Sequence, residues 1–108
     1  MKETNVLYLK SKIMALPGSL ELQDEFLILN AHKQTINLGG FLGSFLKKKV
    51  EEKNQGFKWN VNEIKTIAKG KHGFQDNVLE LTNIHDETYR ILVKNFDEWN
   101  TAILSKKS

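Results

Sequence analysis

Short runs of alternating apolar and polar residues dominate this chain, and they predict strands more than helices. Val6 to Leu16 carries Leu7, Leu9, Ile13 and Ala15 on one parity, the pattern of a half-buried strand, with a short helix as the alternative. Pro17-Gly18 predicts a turn, because proline presets φ and glycine accepts positive φ at the next position. Ser19 to Gln23 alternates, with Leu20 and Leu22 on one face. Asp24-Glu25 then turns the chain into the apolar run Phe26-Leu27-Ile28-Leu29, which is too short for a helix and suits a central strand. His32-Lys33-Gln34-Thr35 reads as the exit from this hairpin, and Ile36-Asn37-Leu38 as a further short strand.

From Gly39 to Lys53 the period changes. Gly39, Gly40 and Gly43 oppose a helix, at a cost of about 1 kcal/mol each in a helix interior. Beyond them Phe41, Leu42, Phe45, Leu46 and Val50 fall near helical spacing, followed by Lys47-Lys48-Lys49 and Glu51-Glu52-Lys53. A glycine-rich loop running into a short amphipathic helix fits this pattern; a flexible hairpin is the alternative. Strand alternation returns at Phe57, Trp59 and Val61, and continues after a bend from Ile64 to Lys71 with Ile67 inward. Lys69-Gly70-Lys71-His72-Gly73 reads as a polar tip. Val78, Leu79 and Leu81 begin the next strand, His85-Asp86-Glu87 turns it, and Tyr89, Ile91 and Val93 alternate in the last one. A helix from Phe96 to Leu104 closes the chain. Asn95 is its cap, Glu98 stands at the capping-box spacing, Asp97 and Glu98 suit the positive end of the dipole, and Phe96, Trp99, Ala102 and Ile103 share one face. That face needs an apolar surface to cover, such as the open end of a barrel or sandwich.

Composition narrows the class without choosing a ligand. A chain of 108 residues with 40% hydrophobic and 27% charged residues predicts one soluble domain with a modest core. The formal net charge is +3, and Arg90 is the only arginine. Lysine lacks the bidentate fork that reads guanine and phosphate, so sequence-specific nucleic-acid recognition is disfavoured. With no cysteine there is no disulfide, thiolate or zinc–sulfur chemistry. The polar N-terminus and the lack of a long apolar run argue against a signal peptide and a membrane span, and predict a cytoplasmic protein, free or at a membrane surface.

Taken in order, these elements resemble a pleckstrin-homology-like domain, and more closely its bacterial GRAM branch. The resemblance lies in Gly18-Ser19-Leu20-Glu21-Leu22 leading to Phe26 through Lys33, in Phe57 through Ile67, and in Tyr89-Arg90-Ile91-Leu92-Val93 followed by Asp97-Glu98-Trp99. It covers most of the chain from Met14 onward. It implies an α+β, mainly β fold: a bent antiparallel β-barrel of roughly seven strands capped by one C-terminal helix, with Trp99 in the barrel mouth. It also implies a binding module rather than an enzyme, with phosphoinositides, other lipids, peptides or partner domains as the ligands of relatives. The basic pattern of phosphoinositide-binding members would fall at Leu16-Pro17-Gly18-Ser19, which carries no cation, so that site does not transfer.

Two basic segments are the candidate binding sites. Lys47, Lys48 and Lys49 beside Phe41 and Phe45 have the chemistry to meet anionic lipid while apolar groups enter the headgroup boundary, although Glu51 and Glu52 oppose it. A protein partner, or a second copy of the chain, would bury the same face between Phe41 and Val50; packing of that face on the domain's own core is the bland alternative. Lys69 and Lys71, with His72, flank Gly70 and Gly73 and suggest a phosphate held by lysines and glycine amides, or simply a solvated hairpin tip. They lack the lysine–serine/threonine ending of a P-loop. His32, His72 and His85 lie on separate loops without metal-ligand spacing, and no motif for a cofactor or a nucleophile is present. Phe57 and Trp59 would form a base-stacking platform only if exposed; their shared parity with Val61 predicts core. The expected function is a non-catalytic interaction module, protein-binding or regulatory, with peripheral binding to anionic lipid as the alternative.

Overall fold

A computed structural model describes residues 1–32 and 55–107. Among the described residues seven strands form one antiparallel sheet: β1 (Lys2–Leu9), β2 (Ala15–Gln23), β3 (Phe26–Ala31), β4 (Phe57–Asn60), β5 (Ile64–His72), β6 (Gln75–Asn83) and β7 (Thr88–Leu92). Their order across the sheet is β4-β3-β2-β1-β7-β6-β5. A single 3-10 turn, Val61–Glu63, joins β4 to β5, and the helix α1 (Phe96–Lys106) follows β7. The expected exit beyond His32, the short strand at Ile36-Asn37-Leu38 and the helix carrying Phe41, Phe45, Lys47, Lys48 and Lys49 lie outside the described residues.

β4 and β5 are the two edges of the sheet, yet only three residues separate them. Six spacings of about 4.8 Å would hold the edges of a flat sheet roughly 29 Å apart, and a connection of that length spans at most about 14 Å. The sheet therefore curls. Two contacts pin the corner: the Val61 amide donates to the Glu25 carbonyl (2.8 Å) and the Ile84 amide to the Glu63 carbonyl (2.9 Å), tying the 3-10 turn to the β2–β3 and β6–β7 turns. Asn60 caps the turn by accepting from the Asn62 amide at 2.9 Å. Among the described residues no ladder joins β4 to β5, so the sheet is curled but not closed into a barrel.

The core lies on the concave face. Leu20 and Leu22 of β2, Leu27 and Leu29 of β3, Phe57 and Trp59 of β4, Leu79 and Leu81 of β6 and Ile91 of β7 are buried there. α1 covers this face with Phe96, Trp99 and Ile103, as its apolar stripe predicts, and Ala102 packs beside them. Asn95 caps the helix through its side-chain oxygen, which accepts from the Glu98 amide at 3.2 Å.

Three local expectations change. β1 ends at Leu9, and Lys10 to Met14 form the connection to β2, so Ile13 is 97% exposed instead of half-buried. Val6, on the opposite parity to Leu7 and Leu9, joins the buried core, and a bulge between Glu3 and Val6 shifts the register of β1 on β2. Pro17-Gly18 does not turn. Both lie inside β2, where the Pro17 carbonyl accepts from the His32 amide just beyond the end of β3. Proline has no N–H to donate in return, and that loss falls where β3 ends. Gly18 is required by close approach: a Cβ there would collide with the backbone carbonyl of Asn30 on β3.

Candidate functional site

The described basic candidate sits on the β5–β6 arm. Lys69-Gly70-Lys71-His72 is not a loop but the last part of β5, and the turn is formed by Gly73 and Phe74, with Gly73 at φ 60°. Gly70 pairs with Val78 in the ladder, so its backbone is engaged in the sheet rather than gathered into an anion cradle. Lys69 reaches across to the Phe96 ring, 5.9 Å from its centroid. Lys71 offers its carbonyl to the Arg90 guanidinium and is exposed. Lys69 and Lys71 are thus brought onto one strand but not around a common anion-sized space.

Gly70 has a different purpose. A Cβ at this position would collide with the Glu80 carboxylate, which occupies the space above the glycine. Glu80 accepts from Arg90 Nε at 3.3 Å. Across the paired strands, Gly70, Glu80 and Arg90 therefore form one small unit. Both charged side chains are about one-third exposed, so the pair contributes little to stability, roughly 0–1 kcal/mol.

At the helix end, a groove of about 490 Å³ lies between the start of β1 and the start of β6, lined by residues that include Glu3, Leu7, Asn77, Leu92 and Lys94. Its main polar groups are already committed. Glu3 accepts from Trp99 Nε1 at 2.9 Å and from the Lys94 amide at 2.8 Å. Asn77 accepts from the Phe96 amide through its side chain (3.1 Å) and from the Val93 amide through its carbonyl (3.0 Å). These residues hold the start of α1 against the sheet. Sequence reasoning missed both, since a lone Glu or Asn in a strand carries no signal of a partner 96 or 19 positions away.

Aromatic side chains gather on β1, β4 and β7. Phe57 and Trp59 stack with their centroids 3.8 Å apart, Tyr89 meets both rings edge-on, and Tyr8 stacks on Tyr89 at 5.2 Å. Phe57 and Trp59 are each only 8% exposed, so they offer no open platform for a base. Burial pushes the Tyr8 and Tyr89 hydroxyls above their ordinary range, with the neighbouring Tyr89 adding to the effect on Tyr8 and Glu87 to that on Tyr89.

The histidines remain apart in the fold: His32 follows β3, His72 ends β5, and His85 lies in the β6–β7 turn. Among the described residues no group of three His, Cys, Asp or Glu side chains is arranged to hold a metal ion. The β6–β7 turn is organised internally by Asn83, which is 1% exposed. Its Oδ1 accepts from the His85 amide (2.9 Å) and the Glu87 amide (3.0 Å), and its Nδ2 donates to Glu87 Oε1 (2.9 Å). Among the described residues no helix is long and apolar enough to cross a membrane. No family model matches the chain. No curated protein matches it either.

Proposed function

We propose that this chain is a non-catalytic interaction module of the pleckstrin-homology-like, GRAM-related type, acting as a protein-binding or regulatory adaptor. The observation that carries the reading is the joint arrangement of seven antiparallel strands in one curled sheet and a terminal helix that buries Trp99 at its concave face. The polar residues of the helix-end groove support a structural role there, since Glu3 and Asn77 direct their hydrogen bonds to α1 and its approach. Binding is then left to the outer surface and the strand edges.

A second reading is peripheral attachment to anionic lipid. It draws on Lys47, Lys48 and Lys49, and on one feature of the fold: Phe74 is fully exposed at the β5–β6 tip, close in sequence to His72 and Lys71. An aromatic side chain near a lysine suits the headgroup boundary. Co-sedimentation with anionic and neutral vesicles, at low and high salt, separates the two readings. The adaptor reading expects no sedimentation even at low salt. Salt-sensitive binding to anionic vesicles alone, lost in the Lys47→Glu/Lys48→Glu/Lys49→Glu variant, would overturn it in favour of the membrane.

A further inference from the structure

We propose that Tyr8 and Tyr89 form an oxidative modification site, at which a one-electron oxidant joins the two rings into an intramolecular dityrosine that staples β1 to β7. They are the only two tyrosines in the chain, and the fold stacks one on the other, with ring centroids 5.2 Å apart and planes inclined by 26°. Tyr8 lies opposite Ile91 in the β1–β7 ladder, so Tyr89, two positions from Ile91, is its diagonal neighbour on the same face. Both rings are half-buried against the core, which holds them in place while leaving part of each open to solvent. Among the described residues neither hydroxyl has a hydrogen-bond partner. Trp59 meets the Tyr89 ring edge-on, also at 5.2 Å, so an electron hole formed on that indole has a phenol beside it to draw from.

The seam that the link ties is the shortest ladder of the described sheet. Only Leu7 opposite Leu92 and Tyr8 opposite Ile91 are in register there, and this ladder joins the β4-β3-β2-β1 half to the β7-β6-β5 half. With no cysteine in the chain, a disulfide cannot reinforce it. In the reaction each phenol gives one electron to the oxidant and its hydroxyl proton to solvent. The two phenoxyl radicals then pair to form one carbon–carbon bond between the ring positions ortho to the hydroxyls, and the hydrogens at those carbons move to the oxygens. The product is lighter by two hydrogens, and the oxidant has taken up two electrons. The rings already face each other from adjacent strands, so side-chain rotation suffices to bring the ortho carbons together. A bond between segments so distant in sequence restricts the unfolded chain as a long-range disulfide does.

The test oxidises the full chain, at low protein concentration, with a ruthenium tris-bipyridyl complex and persulfate under visible light, in buffer and in denaturing urea. In buffer the expected product is a monomer lighter by two hydrogens that shows the blue emission of dityrosine and, after digestion, a Tyr8 peptide linked to a Tyr89 peptide. The yield is expected to be independent of protein concentration, and urea is expected to abolish most of it, because the stack is lost with the fold. The linked chain is expected to unfold at a higher urea concentration than the untreated one. Tyr8→Phe and Tyr89→Phe keep the rings, and each is expected to lose the dityrosine emission of the monomer. The wild-type comparison between buffer and urea decides the matter even where a variant fails to fold. Covalent dimers as the main dityrosine product, an equal monomer yield in urea, or tyrosine oxidation without a link would overturn the site. A linked chain with an unchanged urea midpoint would overturn its role as a staple.

Discussion

The helix end and the β5–β6 arm are built from similar material but in opposite ways. At the helix end a large aromatic is buried and its single polar atom is paired: Trp99 is 1% exposed and its indole N–H meets Glu3. On the arm, Phe74 has no cover at all, Lys71 is exposed, and the Glu80–Arg90 pair that crosses the strands is itself partly open to solvent. The first region converts side chains into stability. The second leaves them available to solvent or to a partner. Burial and pairing, more than residue type, separate an anchor from a contact surface.

Truncating the anchor gives the largest expected effect. Trp99→Ala removes a fully buried ring and leaves a cavity under α1, and is expected to destabilise the fold by about 3–5 kcal/mol in urea unfolding. A much smaller loss would mean that α1 is a loose cover, and the contrast between the two regions would collapse. Glu3→Ala comes next, at about 1–3 kcal/mol, because it strips a partner from both the Trp99 indole and the Lys94 amide. Measured together with Trp99→Ala, it is expected to be clearly non-additive, since the ring and the carboxylate act on each other. On the arm, Lys71→Glu is expected to change stability by no more than about 0.5 kcal/mol by the same measurement, as for other exposed positions away from special features. A loss as large as that of Glu3→Ala would show that the arm is structural after all.

Much of the fold was legible locally. The α1 cap at Asn95, its apolar stripe, the Asp24-Glu25 and His85-Asp86-Glu87 turns and the inward positions of Leu20, Leu22, Leu79 and Leu81 all follow from short-range rules of capping, alternation and turn chemistry. The candidate sites were less legible. The lysines and glycines of the β5 end were visible as residue types, but nothing nearby in sequence says that Gly70 makes room for Glu80 or that Arg90 claims the Lys71 carbonyl. Lys47, Lys48, Lys49, Phe41 and Phe45 lie outside the described residues, and their role rests on the sequence pattern alone.

By itself the sequence determined the class: a mainly β domain ending in one amphipathic helix whose apolar face must be covered. It did so because periodicity, caps and turn residues act within a few positions of one another. Only the tertiary structure decided that Pro17-Gly18 runs straight through a strand, that Glu3 meets Trp99, and that β4 and β5 are left as the two edges of a curled sheet. Those features depend on contacts between distant segments, where the space left by one strand and the hydrogen bonds claimed by another select among local conformations that the chain alone leaves equally open.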